Sequence, residues 1–268
     1  SFAQNAAKAL ASWWEMAGVE PVDMGQWMRA ARPKPPVAQT GPTPPSHQVR
    51  AQALAARKPV DSLAEAERLA AAASSLEALA KAVQGFDGCG LKDHARKTLL
   101  FNGVVGAKIM VIGEAPDRED DENGVALSGE NGQLLDKMLA SIGLSRATNC
   151  LVTCLIPWRP PGDRMATHEE VTVCLPFLRR QIELAAPQAL LLLGGQTAQA
   201  LLEVKDGIMR ARGRSFLYRP QPEHSGIYTQ CLLSPAHLRT RPSEKALAWK
   251  DLLRFAAQIS VNGIASPG

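Results

Sequence analysis

Four short apolar runs, each closed by a turn and followed by a helical pattern, constrain what this chain can fold into more than any other feature. They occupy residues 109–112, 150–156, 189–193 and 227–233, and the helical patterns that alternate with them cover 133–141, 169–184, 197–203 and 244–258. A run such as Ala189-Leu190-Leu191-Leu192-Leu193 has no polar face, so a strand made of it must be covered on both sides. The alternation therefore predicts a three-layer α/β/α domain around a four-stranded parallel sheet, with additional helices at the N-terminal side. In such sheets ligands sit outside the carboxyl ends of the strands. The turns that begin at Gly113, Ile156, Gly194 and Ser234 are therefore the ones to inspect for chemistry.

The chain has 268 residues, enough for one sizeable core, and 46% of them are hydrophobic. A net charge of +4 permits nucleic-acid binding without demanding it. No apolar run approaches the roughly 20 residues needed to span a bilayer, and the opening residues show no charged-then-apolar leader, so a cytoplasmic protein is expected. Five cysteines, an odd number, do not suggest a disulfide framework, and no C-x-x-C pair occurs. Cys150 and Cys154 are the closest pair, and without a second pair nearby they do not make a metal site. Nothing in the sequence signals an oligomer, so a monomer is expected.

Three segments follow from this reading. Residues 1–60 form an N-terminal helix over 5–17, with Leu10, Trp13, Trp14 and Ala17 on one face, and then an arm rich in proline between 32 and 46. No acidic residue falls between Asp23 and Asp61, while Arg29, Arg32, Lys34, Arg50, Arg57 and Lys58 do, so the arm is either a solvated linker or a contact for phosphates. Residues 61–258 make the α/β domain, opening with Asp61 as the N-cap of a helix that runs to about Val83. Residues 259–268 are a tail.

The turn after the first strand reads Gly113-Glu114-Ala115-Pro116-Asp117-Arg118-Glu119-Asp120-Asp121-Glu122-Asn123-Gly124, with five carboxylates from Asp117 on. Such a run can orient water or stabilise a cation, can hold a divalent ion, or can be a solvated acidic loop. Ser128-Gly129-Glu130-Asn131-Gly132 leads into a helix, and its glycines allow backbone N–H groups to approach a phosphate. Trp158-Arg159-Pro160-Pro161-Gly162-Asp163-Arg164 is stiff and basic. Ser234-Pro235-Ala236-His237-Leu238-Arg239 offers small residues followed by positive charge.

The order and spacing of these motifs resemble the uracil-DNA glycosylase superfamily, in particular its family-4 type, which usually carries an iron–sulfur cluster. Gly113-Glu114-Ala115-Pro116 followed by Gly124, Gly129 and Gly132-Gln133-Leu134-Leu135-Asp136 is similar to that family's first signature. Arg159-Pro160-Pro161-Gly162-Asp163-Arg164 resembles its R-P-P-G-N-R segment, Cys174–Leu184 matches its following helix, and Ser234-Pro235-Ala236 resembles its H-P-[SA] signature. The resemblance runs from about Phe86 to Phe255. It implies excision of uracil, or of a related deaminated base, flipped out of DNA, with hydrolysis of the N-glycosidic bond. DNA is the implied partner. The positions that match the family's site give Glu114, Asp117, Asp120, Ser234 and His237 as catalytic candidates. The resemblance likewise implies a base pocket of Ala115, Pro116, Leu127 and Cys154, and DNA contacts from Gly129, Asn131, Gly132, Arg164, Pro235, Ala236 and Arg239.

Departures from the family are concentrated at functional positions. The four cluster cysteines fall at Phe86, Cys89, Trp158 and Cys174, so only two remain, and two thiolates cannot hold a four-iron cluster. No cofactor and no metal is expected, with Phe86 and Trp158 filling the space by apolar packing. The family's base-stacking phenylalanine is Leu127, its base-reading asparagine is Cys154, its histidine is Ser234, and the glycine after Pro116 is Asp117. His237, three residues beyond Ser234, is the candidate replacement for that histidine. Two readings stay open beside each other: a glycosylase with a rebuilt pocket, or a non-catalytic relative that binds damaged or abasic DNA. A third, a small-molecule enzyme, would need the same loops to hold a nucleotide.

Overall fold

A computed structural model describes residues 59–220 and 225–264. The N-terminal helix and the proline-rich arm expected from the sequence lie outside the described residues. Six strands form one sheet in the order β1-β3-β2-β4-β6-β5. The central four, β3 (Cys150–Cys154), β2 (Ile109–Gly113), β4 (Ala189–Leu193) and β6 (Ile227–Leu232), are mutually parallel. They are the four strands expected from the apolar runs. Two short antiparallel strands, β1 (Phe101–Gly103) beside β3 and β5 (Ser215–Tyr218) beside β6, extend the two edges. Their short, mixed patterns carry no periodicity from which to predict them.

Every residue of β2, β3 and β4 is buried, as strands covered on both faces must be. The helices cover them. α1 (Pro59–Ala72) and α2 (Leu76–Gly85) pack with α5 (His168–Ala185) on one side. α9 (Lys245–Val261) lies against β6 and buries Trp249, Leu252, Phe255 and Ile259. Its last three residues, 259–261, were expected to begin the tail. The acidic turn contains α3 (Arg118–Asn123), and α4 (Gly129–Ala140) follows it. α6 (Gly195–Leu202), α7 (Ile208–Ala211) and α8 (Pro235–Thr240) occupy the connections after β4 and β6.

The Ala/Leu/Glu-rich segment read as one helix from Asp61 to Val83 is two. α1 begins two residues before Asp61, which sits in its first turn, and ends at Ala72. Ser75 then caps α2 by accepting the N–H of Ala78 at 3.1 Å. Arg180 of α5 fixes the break, donating from Nε and Nη2 to the carbonyl of Ala73 at 3.0 and 2.8 Å. A continuous helix would use that carbonyl internally, so a partner 107 residues away decides the break.

Phe86, Cys89, Trp158 and Cys174, the positions expected from the resemblance to match cluster ligands, are all buried in the core beneath this layer. The rings of Phe86 and Trp158 stack with centroids 6.4 Å apart, and Phe177 meets Phe86 edge-on at 5.1 Å. Phe86 and Trp158 are fully buried, and Trp158 Nε1 donates to Thr98 Oγ1 at 3.0 Å. Cys89 and Cys174 are also buried, with their sulfurs 4.0 Å apart. The rings fill the space between α2 and α5, and two thiols beside three aromatic rings do not fit a four-iron cluster. Truncating Phe86 to Ala should destabilise the protein by about 3–5 kcal/mol through lost burial and cavity formation, measured as a shift in urea midpoint at unchanged slope.

Candidate active site

The turns that begin at Gly113 and Ser234 meet at the carboxyl end of the parallel sheet and enclose a cavity of about 440 Å³. The floor is the end of β2 with Leu193 at the end of β4. Glu114, Ala115, Pro116, Asp117 and Asp120 line it from the first turn, and Ser234, Pro235, Ala236 and Arg239 from the last. Leu127, Asn131, Arg164, Met165 and Gln196 complete the lining. Most of the candidate residues are thus brought to one place from positions more than 120 apart in sequence.

The acidic run divides by role once folded. Asp117 caps α3: its side chain accepts the N–H of Asp120 at 3.0 Å while Asp120 accepts the N–H of Asp117 at 3.2 Å, a reciprocal capping box. Asp121 turns away from the cavity and accepts the backbone N–H groups of Arg96 and Lys97 at 2.8 and 3.1 Å. Asp120 reaches across to accept the N–H of Ser128 at 2.5 Å, tying α3 to the start of α4. Burial pushes the Asp120 carboxyl up to about 6, with the nearby charge of Asp117 acting in the same direction and the Ser128 N–H opposing it. Among the described residues no group of three or more His, Cys, Asp or Glu side chains is arranged to hold a metal ion.

Glu114 extends from the end of β2 toward α6. Its Oε1 accepts the N–H of Gln196 at 2.9 Å. Burial raises its pKa, and the N–H groups of Gln196 and Gly195 together with the charge of His237 partly offset the rise. Thr197 Oγ1 donates to the Gly113 carbonyl at 3.0 Å and so fixes the turn from which Glu114 departs. Gln196 also donates from Nε2 to the Ala166 carbonyl at 2.7 Å. The sequence marks the turn at Gly194 as one to inspect but carries no signal that the residues after it seat Glu114.

Leu127 lines the cavity, is 8% exposed, and has a left-handed backbone with φ of 52°. For a γ-branched residue that conformation needs external support. Arg146 supplies it, donating from Nη2 to the Leu127 carbonyl at 3.0 Å and from Nη1 to that of Ala126 at 3.2 Å, while Asn102 Nδ2 reaches the same Ala126 carbonyl at 2.8 Å. Asp136 in turn holds Arg146 Nε at 2.7 Å. A Cβ at Gly132 would stand 2.1 Å from the Leu127 carbonyl, so this glycine admits the clamped turn and does not line the cavity. Gly129 is likewise filled from within, by the carboxylate of Glu119. Neither Arg146 nor Asn102 carries any signal in the sequence, because the partners in this clamp, Ala126, Leu127 and each other, are 19 to 44 residues distant.

Besides Gly129 and Gly132, two further candidates are not on the cavity wall. Cys154 is fully buried, its thiol is pushed far up by burial, and it lies against the backbone N–H of Leu127. His237 lies on α8 with Nε2 2.7 Å from Glu244, and it borders a smaller adjoining cavity of about 300 Å³ that shares Glu114 and Ser234 with the first. Ser234 itself caps α8, accepting the N–H of His237 at 3.3 Å, which leaves its hydroxyl hydrogen to donate into the cavity. The basic candidates are paired: Arg164 grips Glu170 through two bonds at 2.8 and 2.7 Å, and Arg239 joins Glu130 and Asn131.

This sheet order and a carboxylate-lined cleft at its carboxyl end are accompanied by matches to known proteins. The family model of the uracil DNA glycosylase superfamily matches residues 101–253, and the chain belongs to that superfamily. The Type-4 uracil-DNA glycosylase of Archaeoglobus fulgidus is 33% identical over 174 residues, 63% of this chain and 85% of that protein. That of Pyrobaculum aerophilum is 28% identical over 186 residues, 67% of this chain and 92% of that protein. That of Sulfurisphaera tokodaii is 31% identical over 150 residues, or 54% and 68%.

Because the Asp120 pKa in the folded chain lies above its ordinary value of 3.8, the folded state binds this proton more tightly than the unfolded one. The stabilisation is complete below the unfolded value and is lost as pH rises through about 6. Carboxyl-detected NMR should show a titration near pH 6 that disappears in Asp120→Asn. The stability advantage of the parent over that variant should shrink from acid to neutral pH.

Proposed function

We propose that this chain is a base-excision glycosylase that hydrolyses the N-glycosidic bond of uracil or a related deaminated base extruded from DNA. One observation carries the reading: Glu114, Asp117, Asp120, Leu127 and Ser234 line one cavity at the carboxyl end of a parallel sheet. As the bond breaks, positive charge develops on the sugar and negative charge on the departing base. The three carboxylates stabilise the sugar cation, and an ionised Asp120 or Glu114 orients the attacking water. The Ser234 hydroxyl gives the base oxygen one neutral hydrogen bond, and Leu127 contributes apolar contact without the face of an aromatic ring. Arg164 and Arg239 at the rim supply charge to the flanking phosphates when DNA displaces their carboxylate partners. The protein works as a monomer in the cytoplasm, where its five unpaired thiols stay reduced.

A second reading has its own observation. The positions of the family's ring, amide and imidazole hold Leu127, a buried Cys154 and Ser234, which favours a relative that grips damaged or abasic DNA without cleaving it. Oligonucleotides containing uracil, hypoxanthine or xanthine separate the two when abasic sites are read by alkaline strand scission. The glycosylase releases at least one of these bases, with a rate that rises through a midpoint near pH 6 and falls on the order of 100-fold in Asp120→Asn or Glu114→Gln. Salt-sensitive binding with every strand left intact establishes the binder instead. Leu127→Phe supplies an aromatic face and should tighten uracil-DNA binding by about five- to 100-fold, since stacking is worth about 1–3 kcal/mol per base.

A further inference from the structure

Away from the cleft, two of the chain's five thiols face each other. The Sγ atoms of Cys89 and Cys174 lie 4.0 Å apart, with Cys174 donating to Cys89. Both belong to the core cluster that contains Phe86, Trp158 and Phe177, and neither lines the cavity. Cys89 sits in the stretch between α2, which ends at Gly85, and β1, which starts at Phe101. Cys174 lies in α5, 85 positions further along the chain.

The other three cysteines are placed differently. Cys150 and Cys154 stand at opposite ends of β3, about 13 Å apart at the rise of an extended strand, and Cys231 lies within β6. Burial pushes the Cys150 and Cys231 thiols up to about 12 and that of Cys154 well above its ordinary value, so these three stay protonated and inert. The contact between Cys89 and Cys174 divides that pair. The hydrogen bond from Cys174 holds the Cys89 thiol below its ordinary value against the opposing effect of burial, and the same bond raises Cys174.

We propose that Cys89 and Cys174 are a peroxide-sensitive dithiol, with Cys89 the attacking sulfur, that closes into an intramolecular disulfide and ties the stretch after α2 covalently to α5. Two thiols hold no cluster here, but to reach disulfide length they need to approach by only about 2 Å. The Cys89 sulfur attacks one oxygen of hydrogen peroxide, the O–O bond breaks, and the departing hydroxide takes the thiol proton as water, leaving a sulfenic acid. The Cys174 sulfur then attacks the Cys89 sulfur, the S–O bond breaks, and the hydroxide leaves with the Cys174 proton as a second water. Each sulfur gives up one electron, and the peroxide takes both. Cys89 lies outside any helix or strand, and such stretches open locally before a sheet does, which admits a molecule as small as the peroxide. In a reducing cytoplasm the pair rests as thiols, since disulfides there are characteristically transient and redox-sensing. The inference stands independently of the catalytic reading.

The test exposes the full folded chain, without denaturant, to a small excess of hydrogen peroxide, then unfolds it and counts thiols. The count should fall from five to three per chain and return to five with dithiothreitol, and peptide mass mapping should join Cys89 to Cys174. The oxidised chain should run as a single chain on a non-reducing gel and melt about 5–15 °C higher, because the bond closes a loop spanning 85 positions. In Cys174→Ser the reaction should halt at the Cys89 sulfenic acid, trapped as a dimedone adduct. Cys89→Ser should label Cys174 on the order of tenfold less. The map of the parent decides the cross-link even where a variant folds poorly. Five thiols remaining, a disulfide mapped to any other pair, a cross-linked dimer or a melting temperature no higher than the reduced chain's overturns the proposal. So does labelling of Cys174 in Cys89→Ser as strong as that of Cys89 in Cys174→Ser.

Discussion

The geometry of the cleft depends on the buried carboxylate of Asp120. It closes the capping box with Asp117 at the head of α3 and takes the N–H of Ser128 at the entrance to α4, so one side chain sets the spacing between two helices and the curvature of the turn between them. That turn presents Leu127. With Asp121 anchoring the other face of α3 to the backbone at Arg96 and Lys97, a run of like charges becomes a set of ligands for peptide N–H groups. Charged hydrogen bonds to backbone donors offset the desolvation of Asp120 only in part, which is why it holds its proton to unusually high pH.

The same economy appears where the family's cluster would lie. A metal cluster cross-links distant segments through covalent ligands. Here Phe86, Trp158 and Phe177 join the end of α2, the segment after β3 and α5 by ring packing, and the two residual thiols are buried beside them. Aromatic burial contributes a large apolar area with defined ring geometry. It therefore holds the three segments together without supplying any redox or ligand chemistry. The cleft side of the same β3 segment leads into the tip that carries Arg164 and Met165, so the packing beneath and the rim above share one stretch of chain.

At the site, Glu114 is seated on the N–H of Gln196 at the start of α6, and Ser234 opens onto the cavity. Leu127 is held in a left-handed conformation by Arg146 and Asn102, and Cys154 is sealed behind its backbone. A base entering this cavity meets carboxylates, a hydroxyl and an isobutyl group. Belonging to a family of uracil-excising proteins does not by itself determine what such a lining recognises, because function resides in the side chains of the site and not in the fold.

The sequence by itself determined the parallel sheet and the place of the site. Runs such as Ala189–Leu193 have no polar face, so only a covered parallel strand satisfies them, and ligand loops follow at the carboxyl ends. It also placed Phe86 and Trp158 where the cluster's thiolates would be. Only the tertiary structure decided the break at Ala73, the clamp on Leu127, the seat of Glu114 on α6 and the turning of His237 toward Glu244. Each of these depends on a hydrogen bond whose partner is fixed by packing. Periodicity reports which face of an element is buried, but not which distant side chain will arrive to satisfy a carbonyl or a carboxylate once it is.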